Sequence, residues 1–358
     1  MRIVVTGATG NVGSQLLPQL LAHPDVTSVV AVARRLAPDR DSRVDWRALD
    51  VAADDLRPAL RAADVVVHLA WLLQPAHDPA EMARVNLGGT RRVLEAVAAE
   101  RVTAVVHASS VGAYSPAPSS AGGRNRRVDE SHPTGGLASS TYSRHKSEAE
   151  RMLDAFEAEH PERRVVRLRP GIVLQADAAS ELARYFLGPF IPQSLVRHAL
   201  VGVVPRTPGL AIQALHASDM ADAYVQAAVR PVSGAYNVAA EPVLDPGTLA
   251  TALHAAQLPV PVAVLRGLVD LSWRLHLQPT DPGWVDIATR GPLMDTARAQ
   301  AELGWAPQVT ATDAVREVVQ AIGAGAGGPS PVMRPRSTGF RRLGEVVQRV
   351  LPGAGRTG

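Results

Sequence analysis

The fold of this chain is decided by an eight-residue stretch near its start, Thr6-Gly7-Ala8-Thr9-Gly10-Asn11-Val12-Gly13. A β-branched run, residues 2–6, precedes it, and apolar residues at helical spacing, residues 11–22, follow it. In such a strand–turn–helix unit the first glycine permits the tight turn, the second lets the backbone approach a pyrophosphate, and the third lets helix pack on sheet. The helix start also presents free N–H groups and a positive dipole end to phosphates. The stretch therefore predicts a dinucleotide-binding turn.

The following sequence repeats this strand–helix alternation. Strands are predicted at 28–33, 65–69, 103–108 and 164–168, and helices at 54–62, 79–100 and 142–160. Near-continuous apolar strands are typical of a parallel sheet covered on both faces. We expect an α/β fold: a doubly wound parallel sheet (Rossmann) over residues 1–173, to which part of 209–240 returns. Residues 174–208 and 241–322 would form a smaller carboxyl-terminal α/β substrate domain.

Composition excludes several classes of protein. The 358 residues include no cysteine, which rules out disulfides, thiolate metal sites and a cysteine nucleophile. The eleven histidines show no metal-ligand spacing, so no metal is predicted. The first ten residues do not resemble a signal peptide, and no apolar run approaches ~18 residues. We expect a soluble, cytoplasmic protein.

The positive charge of the chain is concentrated at its carboxyl end. The net charge is +3, but residues 324–358 hold six arginines and one glutamate, so the remaining residues carry −2. The body therefore gives no reason to expect a nucleic acid partner. Residues 323–358 are predicted to be a flexible basic tail with a possible amphipathic helix, since apolar residues recur there at helical spacing: Phe340, Leu343, Val346, Val347, Val350 and Leu351. Docking on the body or disorder is favoured over membrane contact for this tail.

The single lysine of the chain marks the predicted catalytic site. Of 37 basic residues 36 are arginine, and the exception, Lys146, lies four residues after Tyr142 at the start of a predicted helix. This spacing places phenol and ammonium on one helix face. A nearby ammonium stabilises a phenolate and so adapts a phenol for proton transfer near neutral pH. The structural alternative is a surface tyrosine beside a solvated lysine.

These two motifs, TGATGNVG and YSRHK, resemble those of the extended short-chain dehydrogenase/reductase superfamily, in its NAD-dependent epimerase/dehydratase branch. The resemblance covers about residues 1–320. It implies an NAD(P)-dependent enzyme in which Tyr142 is the acid/base, Lys146 lowers its pKa and orients the ribose, and Ser110 holds the substrate oxygen, with Ser109 as the second choice. It also implies a site-organising role for Asn86, for which capping or packing is an equal alternative. A homodimer through helices 79–100 and 142–160 is expected on the same ground.

The resemblance also implies the contacts of the cofactor. Besides the glycine-rich turn with Thr9, Asn11 and Val12, these are Asp50, Val51, Leu69, Ala70, Trp71, Ala108, Ser109, Tyr142, Lys146, Pro170, Gly171 and Ile172. The second strand ends in Arg34 and Arg35 instead of the acidic residue that binds the ribose of NAD. A guanidinium pairs with a 2′-phosphate. NADP is therefore the preferred cofactor, and NAD is the alternative. If the two arginines have no role in cofactor binding, they are simply solvated surface residues.

Two departures from the family pattern concern the substrate. Sugar-nucleotide epimerases usually have an asparagine where this chain has Ile172, and an arginine near Ile212 or Gln213. Loss of an amide and a cation where a diphosphate would lie favours a small, non-nucleotide substrate, although Arg206 could substitute. The predicted function is hydride transfer at a carbinol or carbonyl carbon. The alternatives are a nucleotide-sugar epimerase or dehydratase and a non-enzymatic dinucleotide sensor.

Overall fold

The computed structural model describes residues 1–38, 40–74, 77–117, 127–186 and 202–335. Its strands are β1 (Arg2–Thr6), β2 (Ser28–Ala33), β3 (Val44–Ala48), β4 (Val65–His68), β5 (Ala104–Ala108), β6 (Arg164–Pro170), β7 (Ile172–Leu174), β8 (Val203–Arg206), β9 (Ile212–His216), β10 (Gly234–Val238), β11 (Ala240–Leu244) and β12 (Ala256–Pro259). Its α-helices are α1 (Asn11–Ala22), α2 (Arg57–Leu60), α3 (Pro79–Ala83), α4 (Gly89–Ala99), α5 (Thr141–Glu159), α6 (Ala179–Phe186), α7 (Ala217–Val229), α8 (Pro246–Leu253), α9 (Val262–Arg274), α10 (Gly283–Arg290) and α11 (Ala311–Ala324).

A parallel sheet of seven strands organises the molecule, in the order β10-β6-β5-β4-β1-β2-β3. Every adjacent pair in it is parallel. The chain leaves β1 toward β2 on one side, and β4 lies on the other side of β1. This reversal is the topological switch point at which doubly wound sheets bind dinucleotides, beyond the carboxyl ends of the strands. The predicted Rossmann fold is confirmed.

Both faces of this sheet are buried, which explains its continuous apolar strands. Ile3 and Val5 pack in the core beneath α1 and α7, whereas Val4 packs in the core beneath α4 and α5. Successive side chains of a strand point to opposite faces. Each such side chain stabilises the fold by about 1.5–3 kcal/mol when buried.

A second, three-stranded sheet begins where the first one ends. β6 and β7 are separated only by Gly171, whose N–H donates to the carbonyl oxygen of Val238 in the main sheet. A Cβ at Gly171 would lie 2.3 Å from the carbonyl oxygen of Gln213, so only glycine fits this crossing. The order of the second sheet is β11-β9-β7, and β8 pairs with β12 separately. This crossing places the carboxyl-terminal region beside the switch point.

The structure differs from the expectation of one continuous helix over 79–100. A five-residue π-helix, Arg84–Gly88, separates α3 from α4. The extra residue of a π-turn re-aims the chain, and such turns are frequent at functional sites. The predicted helix at 54–62 is also reduced to α2.

The carboxyl-terminal linker also differs from its prediction over the described residues. α11 extends to Ala324, and the next residues fold back on the body: Ser180 Oγ donates to the carbonyl oxygen of Ala326 at 2.7 Å, and Gly328 N–H to that of Asp177 at 2.7 Å. Met333 is only 1% exposed. The glycines here serve a tight packed turn, which composition alone does not distinguish from a linker. Residues 336–358, with the predicted amphipathic stretch, lie outside the described residues.

Two kinds of feature are absent from the described residues. No helix among them combines the length and apolar character needed to cross a membrane. The same part of the chain groups no three His, Asp or Glu side chains in a way that could hold a metal ion.

Candidate functional site

The glycine-rich turn joins β1 to α1 and is shaped by contacts that exclude side chains. Gly7 has a φ of +72°, and a Cβ there would lie 2.6 Å from the backbone nitrogen of Ala70. A Cβ at Gly13 would lie 2.5 Å from the carbonyl oxygen of Ala8. No side chain caps the start of α1, so its first N–H groups are not occupied by a capping side chain. This cradle fits a pyrophosphate.

A cleft of about 490 Å³ runs from this turn along the ends of the strands. Of the predicted cofactor contacts it is lined by Gly7, Thr9, Gly10, Asn11, Val12, Gly13, Arg34, Arg35, Asp50, Val51, Leu69, Ala70, Trp71, Ala108, Ser109, Tyr142, Lys146 and Pro170. Arg34 and Arg35 are exposed at the end of β2. The cleft therefore brings together a phosphate cradle, an acidic residue and the predicted catalytic pair, as a dinucleotide requires.

Lys146 is buried at the floor of this cleft. Its ammonium donates to the carbonyl oxygen of Ala108 at 2.6 Å and lies 3.4 Å from the centre of the Trp71 ring. Burial lowers the pKa of Lys146, and the nearby Glu150 acts in the opposite direction. The sequence analysis listed Trp71 as a contact of the cofactor and missed that its indole face lies against the ammonium of Lys146.

Tyr142 lies one helical turn before Lys146, between the cleft and a second cavity. Its ring stacks on Trp284 with centres 4.8 Å apart, and the Lys146 nitrogen is 5.8 Å from its centre. Loss of water around the phenol raises the pKa of Tyr142 to about 12, while a hydrogen bond with Ser110 acts to lower it. The phenol is consequently protonated at neutral pH.

The two serines after β5 have different partners. The Ser110 side chain accepts the N–H of Gly112 at 3.0 Å and meets Tyr142, whereas Ser109 Oγ donates to Glu150 at 2.5 Å. Successive residues of an extended chain point to opposite sides, so only one of them can face the phenol. The first choice, Ser110, is the serine that lies beside Tyr142.

A buried polar network lies behind Ser109 and was not predicted. Arg169 forms two hydrogen bonds with the Glu150 carboxylate, each 2.9 Å long, and donates to Tyr114 Oη at 2.9 Å. Tyr114 in turn donates to Asn237 at 2.6 Å. Although burial raises the pKa of Glu150, its bonds with Arg169 hold it below the ordinary value. The network ties α5 to β6 and β10, and so fixes the helix that carries Tyr142 and Lys146.

Asn86 lies in the π-helix, away from both cavities. Its amide accepts the N–H of Leu72 at 2.7 Å and donates to the carbonyl oxygen of Leu72 at 2.9 Å. The residue is fully buried, and it is not among the residues that line either cavity. Both amide groups are engaged with Leu72, so Asn86 holds the backbone that follows Trp71, as the packing alternative of the sequence analysis expects.

A second cavity, of about 550 Å³, opens on the other side of Tyr142. Gly171 and Ile172, which were predicted to contact the cofactor, line this cavity, at the point where the chain crosses into the second sheet, and the preceding Pro170 lines both the cavity and the cleft. Of the predicted catalytic residues, Tyr142 and Ser110 line this cavity. Its apolar lining includes Leu73, Val111, Ile172, Val173, Leu182, Leu210, Ile212, Leu265, Val269, Trp284, Val285 and Ile287.

The charge of this second cavity is unusual for a diphosphate site. Among its lining residues in the described part of the chain there is no arginine and no lysine. Arg206, considered as a substitute cation, ends β8 and is not one of them. Among the described lining residues the only carboxylate is that of Glu181, whose pKa is raised by burial.

Comparison with known proteins places this geometry in a family. The model of the NAD dependent epimerase/dehydratase family matches residues 3–239. L-arabinose 1-dehydrogenase (NAD(P)(+)) of Haloferax volcanii is 37% identical over 110 residues, 30% of this chain and 41% of that protein. The chain thus matches less than half the length of that relative. An uncharacterized protein of Mycobacterium tuberculosis H37Rv, Rv0501, is 26% identical over 325 residues, 87% of this chain and 81% of that protein.

The solved structures agree in fold. MoeE5 in complex with UDP-glucuronic acid and NAD superposes with a TM-score of 0.65 at 22% identity, covering 90% of this chain and 98% of that one. The family model covers most of the Rossmann sheet together with the glycine-rich turn and the Tyr142–Lys146 helix. This chain therefore belongs to the NAD-dependent epimerase/dehydratase family.

Proposed function

We propose that the protein catalyses NAD(P)-dependent hydride transfer at a carbinol or carbonyl carbon of a small, apolar, non-nucleotide substrate. The observation that carries this proposal is the second cavity, whose described lining is mostly apolar and has neither arginine nor lysine. A nucleotide diphosphate carries two negative charges, and burying them without a cation is unfavourable. An apolar molecule gains free energy in the same cavity by leaving water.

The cofactor would be held by the glycine-rich turn at its pyrophosphate and by Lys146 at the nicotinamide ribose. When bound, the nicotinamide supplies or accepts the hydride. Arg34 and Arg35 favour NADP, because they stand at the end of β2 where NAD enzymes have a carboxylate, and they line the cleft. NAD is the alternative.

Three side chains would handle the substrate oxygen. The phenol of Tyr142, protonated because its pKa is raised to about 12, can donate its proton to a carbonyl oxygen as that oxygen gains negative charge. In the reverse direction the resulting phenolate accepts the proton of a carbinol, and the Lys146 ammonium on the same helix face stabilises it. The hydroxyl of Ser110, beside Tyr142, holds the same substrate oxygen by a hydrogen bond.

A nucleotide-sugar epimerase or dehydratase is the second candidate. It is favoured by the fold likeness to MoeE5, which binds UDP-glucuronic acid and NAD. The two candidates differ in the ligand of the second cavity, so a thermal-shift panel in the presence of cofactor separates them. We expect no stabilisation by UDP or dTDP, and stabilisation by apolar ketones or alcohols. Strong stabilisation by UDP or dTDP, with none by the apolar ketones or alcohols, would favour the second candidate.

A further inference from the structure

Glu181 lies on α6 at the junction of the cofactor cleft and the second cavity. It lines both of them, as do Tyr142 and Tyr185. Tyr142 is the residue to which the proton transfer is assigned, so this junction is where a bound substrate would meet the cofactor. Glu181 is therefore placed to contact a ligand of the second cavity.

The Glu181 carboxylate has a partner for only one of its two oxygens. Tyr185, one turn along α6, donates its Oη hydrogen to Oε1 at 2.6 Å. The other oxygen, Oε2, is buried and has no hydrogen-bond partner among the described residues. Glu181 as a whole is only 8% exposed. Because leaving a buried polar atom unpaired is unfavourable, such an atom beside a cavity points to a group that a ligand supplies.

Other polar side chains of the second cavity are already paired with the protein. The Gln213 amide exchanges two hydrogen bonds with the backbone of Met294. The Gln278 amide is held in the same way by the backbone of Thr280. Among the lining residues of the described ranges, Glu181 contributes the one buried side-chain polar atom that lacks a partner. The missing partner is thus sought at a single point of the cavity.

The surroundings of Glu181 favour a neutral partner. Burial raises the pKa of Glu181, while the bond from Tyr185 and the charge of Arg184 act to lower it. A hydroxyl can donate to a carboxylate and can accept from a carboxylic acid, so it satisfies Oε2 in either protonation state. An ammonium matches only the ionised form, and a purely apolar group matches neither.

We infer that Glu181 determines substrate specificity by binding a second polar group of the substrate, a hydroxyl, while Tyr142 and Ser110 hold the reacting oxygen. Tyr185 is the positioning residue, since its bond to Oε1 leaves Oε2 to the ligand. The inference rests on the proposed function and narrows its substrate class to otherwise apolar hydroxy-ketones and the diols formed by their reduction.

Calorimetry on the protein saturated with oxidised cofactor tests this inference without requiring turnover. The probes are straight-chain methyl ketones of increasing length, each with and without a terminal hydroxyl. At the length that binds best, we expect wild type to bind the hydroxyl form about tenfold more tightly, the scale of one hydrogen bond to a buried polar group. Equal affinities for the two forms at every length, or no binding of either form, would overturn the inference.

Three variants assign the preference to a residue. In Glu181→Leu the order of the two affinities should reverse, because the hydroxyl is then buried beside an apolar side chain without a partner. Glu181→Gln keeps a polar amide and should retain part of the preference. The control Glu148→Gln breaks only an exposed pair with Arg151 and should retain all of it. A preference that persists undiminished in Glu181→Leu would overturn the inference.

Two further readouts separate this inference from the proposed function and from cofactor binding. If the ketones are reduced by NADPH but show no preference for the hydroxyl, the proposed function stands and the inference fails. If the preference depends on Glu181 but no ketone oxidises NADPH, the inference stands and the assigned reaction is wrong. An effect of Glu181→Leu that is confined to the affinity for the cofactor would assign Oε2 to the cofactor and overturn the inference.

Discussion

The ammonium nitrogen of Lys146 lies 3.4 Å from the centre of the Trp71 ring, over its face, at the floor of the cofactor cleft. The same nitrogen donates to the carbonyl oxygen of Ala108. Burial disfavours the ammonium, and the indole and this carbonyl compensate for part of the lost hydration. Lys146, to which we assign a catalytic role, is thus held by a residue outside the Tyr-x-x-x-Lys motif.

Replacing Trp71 should change the pH dependence of turnover. A buried cation–π contact stabilises the ammonium by about 2 kcal/mol, so its loss in Trp71→Leu lowers the pKa of Lys146 further. The proposed mechanism uses the ammonium form, so the activity that is lost on raising the pH should be lost at a lower pH than in wild type. Trp71→Phe keeps a π face, so it should lose activity at a pH between those of wild type and Trp71→Leu. Identical alkaline limbs in all three pH–rate profiles would show that the indole only fills space.

Replacing Lys146 itself should abolish most of the turnover. Lys146→Arg retains a positive charge, but a planar guanidinium cannot take the place of a compact ammonium between Ala108 and Trp71. We expect a loss of turnover of about 100-fold or more, the scale of a general acid–base contribution. The melting transition of the variant shows whether it is folded. Wild-type turnover in folded Lys146→Arg would refute the role given to Lys146.

The buried network should dominate stability. Glu150→Gln leaves Arg169 buried without its carboxylate partner, which costs about 3–5 kcal/mol. The control is Glu148→Gln, which breaks the exposed pair with Arg151 and should cost under about 1 kcal/mol. Urea unfolding at neutral pH measures both. If Glu150→Gln lowered the free energy of unfolding as little as Glu148→Gln does, the network would not be a main source of stability.

The same carboxyl should contribute a pH-dependent part of stability. Because its pKa is held below the ordinary value, the Glu150 contribution is present above the unfolded-state pKa of about 4.3 and is lost as the pH falls through the folded-state value. The gap in unfolding free energy between wild type and Glu150→Gln should therefore narrow in acid. A gap that stays constant down to acid unfolding would show that Glu150 is not the titrating group.

The cofactor preference can be tested at the end of β2. Arg34→Ala should weaken NADPH binding about 10- to 100-fold, the value of a charge-assisted pair with phosphate, and leave NADH binding almost unchanged. Arg43→Ala is the control, since Arg43 pairs with Asp41 and is not among the residues that line the cleft. Equal affinities for the two cofactors in wild type and Arg34→Ala would remove the argument for NADP.

The parts predicted well from sequence are those set by local spacing. Gly7, Gly10 and Gly13 form the turn between β1 and α1, and Tyr142 and Lys146 stand one turn apart on α5 because four residues make one turn in any helix. Ser110 follows the end of β5 at Ala108 and lies beside Tyr142. Each of these needs only a short stretch of chain.

The parts missed depend on residues that are distant in sequence. Nothing local reveals that Arg169 meets Glu150, or that the ring of Trp71 covers Lys146. The sequence also does not reveal that the chain crosses to the second sheet at Gly171, because this crossing depends on the close approach of Gln213. Such contacts are set by the tertiary packing.

The central claim is that Tyr142 transfers a proton during hydride transfer to an apolar, non-nucleotide substrate. The most direct test follows the absorbance of reduced nicotinamide with wild type and with Tyr142→Phe, across apolar ketones and UDP- and dTDP-sugars. We predict oxidation of NADPH by an apolar ketone and a loss of about 100-fold or more in the variant. Turnover confined to nucleotide sugars, or an unchanged rate in Tyr142→Phe, would contradict the claim.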